Sequence, residues 1–165
     1  MGRMQTSSSS WQISISRWLP LRGSERLAVV GVGNEQRRDD AAGIMAARRL
    51  SHIQFDQNIL ILEAGIAPEN ATAALRRFAP ARVLLVDAAE MEEPAGTIRW
   101  EEMSEIAGMS ASTHSLPLSM LADYLRLELG CEVALLGIQP AYNDYGEGVS
   151  EEVERAVGEI IEEIT

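Results

Sequence analysis

The stretch LAVVGVGNEQRRDDAAGIMAARRL, residues 27–50, joins a strand-like half to a helix-like half. Its first part, LAVVGV (27–32), is an apolar run that leads into glycine, which is typical of a parallel strand buried on both faces. The part from Asp39 to Leu50 has the residue spacing of a helix. The turn between them holds glycines, an asparagine, two arginines and two adjacent aspartates. It is the first place to look for a nucleotide cradle, a helix cap or one wall of a metal site.

Strand and helix patterns alternate along the rest of the chain. Apolar runs predict further strands at 59–65, 82–89, 97–102 and 132–140. Helices are predicted at 68–78 and 118–129 and in a C-terminal segment capped by Ser150. Such alternation predicts an α/β fold, with a mostly parallel sheet and helices on both faces. Ligands of these sheets bind beyond the carboxyl ends of the strands.

Residues 1–25 are predicted to be an N-terminal extension, and residues 26–165 a single domain. The serine run 7–10 is typical of a flexible linker, and no apolar signal-peptide core follows it. After it, helical spacing with Ser10 as N-cap predicts a short docking helix, whose apolar residues are Trp11, Ile15, Trp18 and Leu19. A disordered tail and a partner-binding helix remain alternatives.

The composition excludes several classes of partner. Fourteen basic residues, all arginine, face twenty-five acids, and the net charge of −11 repels nucleic-acid phosphates. No apolar run approaches the roughly 20 residues of a bilayer span, so we expect no membrane insertion. The single cysteine, Cys131, forms no internal disulfide framework and predicts a reducing, cytoplasmic location.

Nucleotide binding and nucleophilic catalysis find little support in the motifs. Gly31 and Gly33 begin a G-x-G pattern, but Gln36 stands where a dinucleotide fingerprint needs its third glycine. The chain has no G-x-S-x-G elbow. Cys131 has no histidine beside it in sequence, so an inert thiol is the better interpretation.

Three titratable residues are candidates for chemistry at the carboxyl edge of the sheet. One helix cap explains one of the two adjacent aspartates, 39 and 40, but not both. Asp87 ends an apolar strand, where a carboxylate needs a partner. His114 precedes a helix, whose N-terminus favours neutral imidazole. A structural histidine, arginine or backbone partners, and a nickel or zinc ion bound by Asp40, Asp87 and His114 all remain open.

These residues lie in segments that resemble the hydrogenase maturation endopeptidases, which trim the C-terminus of the [NiFe]-hydrogenase large subunit. The resemblance is strongest to the branch that serves the formate-hydrogenlyase-associated hydrogenase and its archaeal relatives. Five motifs occur in the family's order and span most of residues 27–165: GVGNEQRRDDAAG (31–43), EAGIAPEN (63–70), RVLLVDAAEM (82–91), STHSLPLSML (112–121) and LLGIQP (135–140).

The resemblance implies a three-layer α/β/α sandwich with a five-stranded sheet and a nickel-dependent, aspartic-type endopeptidase. Asp40, Asp87 and His114 would be the metal ligands and catalytic residues. Ni²⁺ would arrive with the partner, the large-subunit precursor. Supporting candidates near this trio are Asp39, Glu63, Asn34 and Gln139, of which Glu63 replaces the family's usual aspartate. The alternative is a non-catalytic metal-binding or hydrogenase-assembly chaperone module of the same fold.

Overall fold

A computed structural model of the protein describes residues 9–103, the strand at 110–111 and residues 118–165. The α-helices are α1 (Ser10–Trp18), α2 (Ala42–Ser51), α3 (Thr72–Phe78), α4 (Leu118–Leu129) and α5 (Glu151–Ile164). The strands are β1 (Leu27–Val32), β2 (Ile59–Gly65), β3 (Arg82–Glu90), β4 (Ile98–Glu102), β5 (Ser110–Ala111) and β6 (Glu132–Ile138). Helices of the 3₁₀ type at Arg38–Ala41 and Pro68–Ala71 lead into α2 and α3.

The main sheet has the strand order β2-β1-β3-β6-β4. Its first four strands are parallel, and β4 pairs with β6 in the antiparallel sense. The predicted α/β class with a five-stranded, mostly parallel sheet is therefore confirmed. Three predicted strand limits are wrong: β4 begins at Ile98 instead of 97, β6 ends at Ile138 instead of 140, and β3 continues to Glu90 instead of stopping at 89. The extension pairs with β5, where Ala89 lies opposite Ala111.

The sheet separates two apolar cores, which gives the three layers. Along β3, Leu84, Val86 and Ala88 join the core under α1, α2 and α5, whereas Val83 and Leu85 join the core under α3 and α4. The alternation follows from the period of two in a strand. It places Asp87 on the α3/α4 side of the sheet.

The helix predicted from Asp39 begins differently in the structure. Asp39 and Asp40 lie in the 3₁₀ helix, and the α-helix starts only at Ala42. A 3₁₀ turn is a frequent start for an α-helix. Neither aspartate caps α2, because the N-cap position is Ala41, which has no side-chain acceptor.

The N-terminal helix α1 packs on the domain. Its buried residues Trp11, Ile15 and Trp18 belong to the core shared with α2 and α5. The predicted N-cap at Ser10 is wrong by one residue. Ser9 has the extended cap conformation, and its N–H donates to the side chain of Gln12 at 2.9 Å. Ser10 is the first helical residue.

In the described part of the chain, no helix combines the length and apolar character that a bilayer span requires. His114 lies outside the described residues, so its predicted place at the sheet edge stays a prediction.

Candidate active site

Close backbone contacts hold the start of α2 against the ends of two strands. A Cβ atom at Gly43 would overlap the carbonyl oxygens of Val86 and Val32. A Cβ atom at Gly33 would overlap the carbonyl oxygen of Asp40. Glycine is needed where one backbone approaches another this closely. These contacts fix the 3₁₀ helix and its aspartates beside the carboxyl ends of β1 and β3.

Asp40 and Asp87 are two of the buried carboxylates of this edge. Asp40 is 4% exposed and Asp87 is 1% exposed. The 3₁₀ helix that carries Asp40 contacts β3, the strand that carries Asp87. Asp87 follows Val86, the last β3 residue that pairs with β1. Burying two carboxylates costs several kcal/mol unless their surroundings compensate. Two buried acids at the carboxyl edge of a mostly parallel sheet are candidates for a reaction site, because ligands of such sheets bind there.

The adjacent acid, Asp39, has a structural task. It is fully buried, and its carboxylate accepts hydrogen bonds from the backbone N–H groups of Ala141 at 2.7 Å and Tyr142 at 3.0 Å. It also accepts from the N–H and the hydroxyl of Ser150, at 2.6 and 2.9 Å. Asp39 therefore ties the Asp40 segment to the loop between β6 and α5, residues 139–150, which we call the β6–α5 loop.

Two supporting candidates hold loops at the same edge. Asn34 Oδ1 accepts from the Gln36 N–H at 2.9 Å, and the Asn34 N–H donates to the Asp40 carbonyl at 3.0 Å. Gln139 is buried, and its Oε1 accepts from the Met91 N–H at 2.7 Å. Its Nε2 donates to Glu90 at 2.8 Å. Both side chains organise the turns around the carboxylates.

Glu63 forms a surface ion pair. Its two carboxylate oxygens accept from Arg48, at 3.3 Å from Nε and 2.9 Å from Nη2. Arg48 also contacts Glu35 at 2.5 Å. The hydrogen bond from Arg48 lowers the pKa of Glu35 below its ordinary value, and both acids raise the pKa of Arg48. Glu63, an exposed residue of β2, is therefore ion-paired with Arg48 of α2.

The structure describes two of the three predicted ligands, Asp40 and Asp87. Within residues 9–103 and 118–165, no three histidine, cysteine or acidic side chains cluster in a way that would hold a metal ion. The third predicted ligand, His114, stands four positions before α4 begins at Leu118. Leu118 and Leu121 of α4 lie in the core on the side of the sheet that carries Asp87.

The sequence did not predict which groups donate hydrogen bonds to the Asp39 carboxylate. The structure assigns this carboxylate to the β6–α5 loop, more than a hundred positions along the chain. The available signal was the pair of adjacent acids, of which one cap could explain only one. Nothing local in the sequence identified the donors, since three of the four are backbone N–H groups.

The fold and its buried acids define a three-layer α/β/α protein with its candidate site at the carboxyl edge of the sheet, where such folds bind ligands.

The inert interpretation of Cys131 agrees with its surroundings. This thiol is buried, and burial raises its pKa.

Comparisons with known proteins identify the class more closely. A family model for hydrogenase maturation proteases matches residues 44–165. The hydrogenase 3 maturation protease of Escherichia coli K12 is 40% identical over 110 residues, which cover 66% of this chain and 69% of that protein. The crystal structure of the [NiFe] hydrogenase maturation protease HycI from Thermococcus kodakarensis superimposes with a TM-score of 0.75 at 33% identity, covering 84% of this chain and 92% of that one. The solution structure of the endopeptidase HycI from Escherichia coli gives a TM-score of 0.73 at 33% identity, with 83% and 87% covered.

The chain therefore belongs to the hydrogenase maturation protease family, and it is an enzyme of the hydrolase class. The family match includes Asp87 and His114 and begins after Asp40.

Proposed function

We propose that this protease removes the C-terminal peptide from the precursor of a [NiFe]-hydrogenase large subunit, and that cleavage depends on nickel carried by the precursor. Family membership supports the protease activity. The observation that carries the finer proposal is the pair of buried carboxylates, Asp40 and Asp87, held at the carboxyl edge by elements in contact. The buried Cys131 suits a reducing cytoplasm as the place of processing.

Asp40, Asp87 and His114 are the residues we propose as ligands to the incoming nickel. Carboxylate oxygen and imidazole nitrogen are donors that suit this ion. The proposed convergence is supported by α4, which follows His114 in sequence and packs on the Asp87 side of the sheet. Because the metal would be part of the substrate, a precursor without nickel would lack the ion that these three residues bind.

Cleavage would use water, since no serine or cysteine nucleophile is indicated. Bound nickel would polarise the scissile carbonyl or lower the pKa of a water molecule. We assign the general base to Asp40, because it is buried at the carboxyl edge of the sheet, whereas Glu63 is an exposed residue ion-paired with Arg48. The water oxygen would bond to the carbonyl carbon while the base takes its proton. The C–N bond would then break, and the leaving amine would receive a proton.

The test compares precursor with and without nickel. Purified enzyme is incubated with each form, and mass spectrometry follows release of the C-terminal peptide. We expect peptide release from the loaded precursor alone. Equal cutting of both forms would remove the nickel dependence. Binding of the loaded precursor without peptide release would replace the protease mechanism with an assembly role.

A further inference from the structure

The β6–α5 loop exposes two aromatic rings next to the segment that carries Asp40. Tyr142 is 61% exposed and Tyr145 is 74% exposed. Tyrosine is enriched in protein–protein interfaces and among the residues that dominate their binding energy. Rings this exposed, on a loop bonded to the candidate site, are therefore candidates for contact with a protein substrate.

Contacts within the protein hold the backbone of Tyr142 and the ring of Tyr145 before any partner binds. The Tyr142 backbone exchanges two hydrogen bonds with Asp39, each 3.0 Å long. The guanidinium of Arg37 lies 5.1 Å from the centre of the Tyr145 ring. Arg37 also donates to the carbonyl of Asn143 at 3.1 Å. A surface fixed in advance loses less conformational entropy on binding.

A recess adjoins the same loop. A cavity of about 510 Å³ lies between α2, which contributes Met45, Arg48 and Arg49, and the end of the loop, which contributes Gly148 and Val149. Its volume falls within the ~300–1,000 Å³ of sites that receive ligand groups. Since Asp40 and Asp87 are almost wholly buried, a polypeptide that reaches them must lie against the residues around them.

We propose that Tyr142 and Tyr145 form a docking surface for the hydrogenase large-subunit precursor. Apolar side chains of the precursor, next to the segment that is cut off, pack on the two rings. This inference rests on the proposed function and adds the surface by which the enzyme binds its protein substrate.

The test measures initial processing rates over a range of nickel-loaded precursor concentrations. In the variant Tyr142→Ala/Tyr145→Ala, we expect the half-saturating precursor concentration to rise about tenfold or more, with the maximal rate within about twofold of wild type. Tyr145→Phe keeps the ring and is expected to behave like wild type. Leu127→Ala is the matched control, because Leu127 is 83% exposed but lies on α4.

An unchanged half-saturating concentration in the double variant overturns the proposal, and so does a loss confined to the maximal rate. Urea unfolding shows whether the double variant is folded, and the two single alanine variants are measured in its place if it is not. If wild type binds the precursor without cutting it, the proposed function fails separately. The dissociation constants of the same variants then test the docking surface.

Discussion

Asp39 and Ser150, 111 positions apart, are joined by two hydrogen bonds from the backbone N–H and the hydroxyl of Ser150, at 2.6 and 2.9 Å. Ser150 is also the N-cap of α5, where its Oγ accepts from the Val153 N–H at 3.4 Å. One buried carboxylate thus connects the turn that carries Asp40 with the start of the last helix. This connection makes the Asp40 segment dependent on contacts that are remote in sequence.

Replacing Asp39 with alanine is expected to lower the free energy of unfolding by about 3 kcal/mol or more, because it leaves several buried N–H donors without their acceptor. Urea denaturation measures the loss. Ser150→Ala is the control, since it removes the hydroxyl but keeps the backbone donor, and it should cost about 1 kcal/mol. Equal, small losses in the two variants would show that the carboxylate does not hold the loop.

Gly43→Ala is expected to lower stability by about 2 kcal/mol or more, because its Cβ atom would meet the backbone of β1 and β3 and force α2 away from the sheet. The matched control is Gly158→Ala in α5, where a Cβ atom has no neighbour within 4 Å. That change should stabilise the protein by up to about 1 kcal/mol through helix propensity. Thermal melts of both variants give the comparison, and similar shifts in both would contradict the close-contact argument.

The variants Asp40→Asn, Asp87→Asn and His114→Ala are each expected to reduce peptide release from the loaded precursor by about 100-fold or more. Asparagine is close in size to aspartate, and circular dichroism should show a retained fold. Asp56→Asn, at an exposed position before β2, is the control and should process normally. An unfolded His114→Ala protein would instead favour a structural role for this histidine.

The elements that could be predicted are those whose bounds follow from the local sequence pattern. The strands at 27–32 and 59–65 have the predicted bounds, because each apolar run is closed by glycine. The end of β3 was not predictable, since its last residues pair with Ser110 and Ala111, which carry no strand pattern of their own. The short 3₁₀ turn before α2 also has no separate signal, because its residues continue a helix-like sequence.

The same distinction applies to the candidate site. The positions of Asp40 and Asp87 after buried strands predicted that both lie at the carboxyl edge of the sheet, because parallel strands end together. The engagement of Glu63 by Arg48 and of Gln139 by the turn after β3 could not be predicted, because each contact joins separate elements. Whether His114 completes the trio stays a prediction.

The Arg48–Glu35 contact predicts a pH dependence. Arg48 lowers the pKa of Glu35 in the folded protein. The contribution to stability is therefore present above the unfolded value of about 4.3 and is lost as the pH falls through the lower folded value. Arg48→Met should lower the free energy of unfolding by less than about 1 kcal/mol at pH 7, because the pair is exposed, and by less still at pH 3. Urea titrations at both pH values measure the loss of unfolding free energy. A larger loss at pH 3 than at pH 7 would contradict the lowered pKa of Glu35.

Trp18→Ala tests how α1 contributes to the domain. The Trp18 ring is 8% exposed and packs edge-on against Trp100, with ring centres 5.3 Å apart. Arg82 donates to the Trp18 carbonyl at 2.8 Å. Loss of the buried ring should lower the free energy of unfolding by about 3 kcal/mol. Ile13→Ala is the control on the same helix, because Ile13 is 43% exposed and should change stability by less than about 0.5 kcal/mol.

Deleting residues 1–25 tests the predicted division between the N-terminal extension, residues 1–25, and the domain, residues 26–165. A chain that starts at Arg26 lacks α1 and leaves Trp100 and the neighbouring part of the α2/α5 core open to water. We expect it to fold with a lower unfolding midpoint than the Trp18→Ala variant, because it loses Trp11 and Ile15 as well. A shortened chain as stable as the full one would make α1 an accessory with no part in the core.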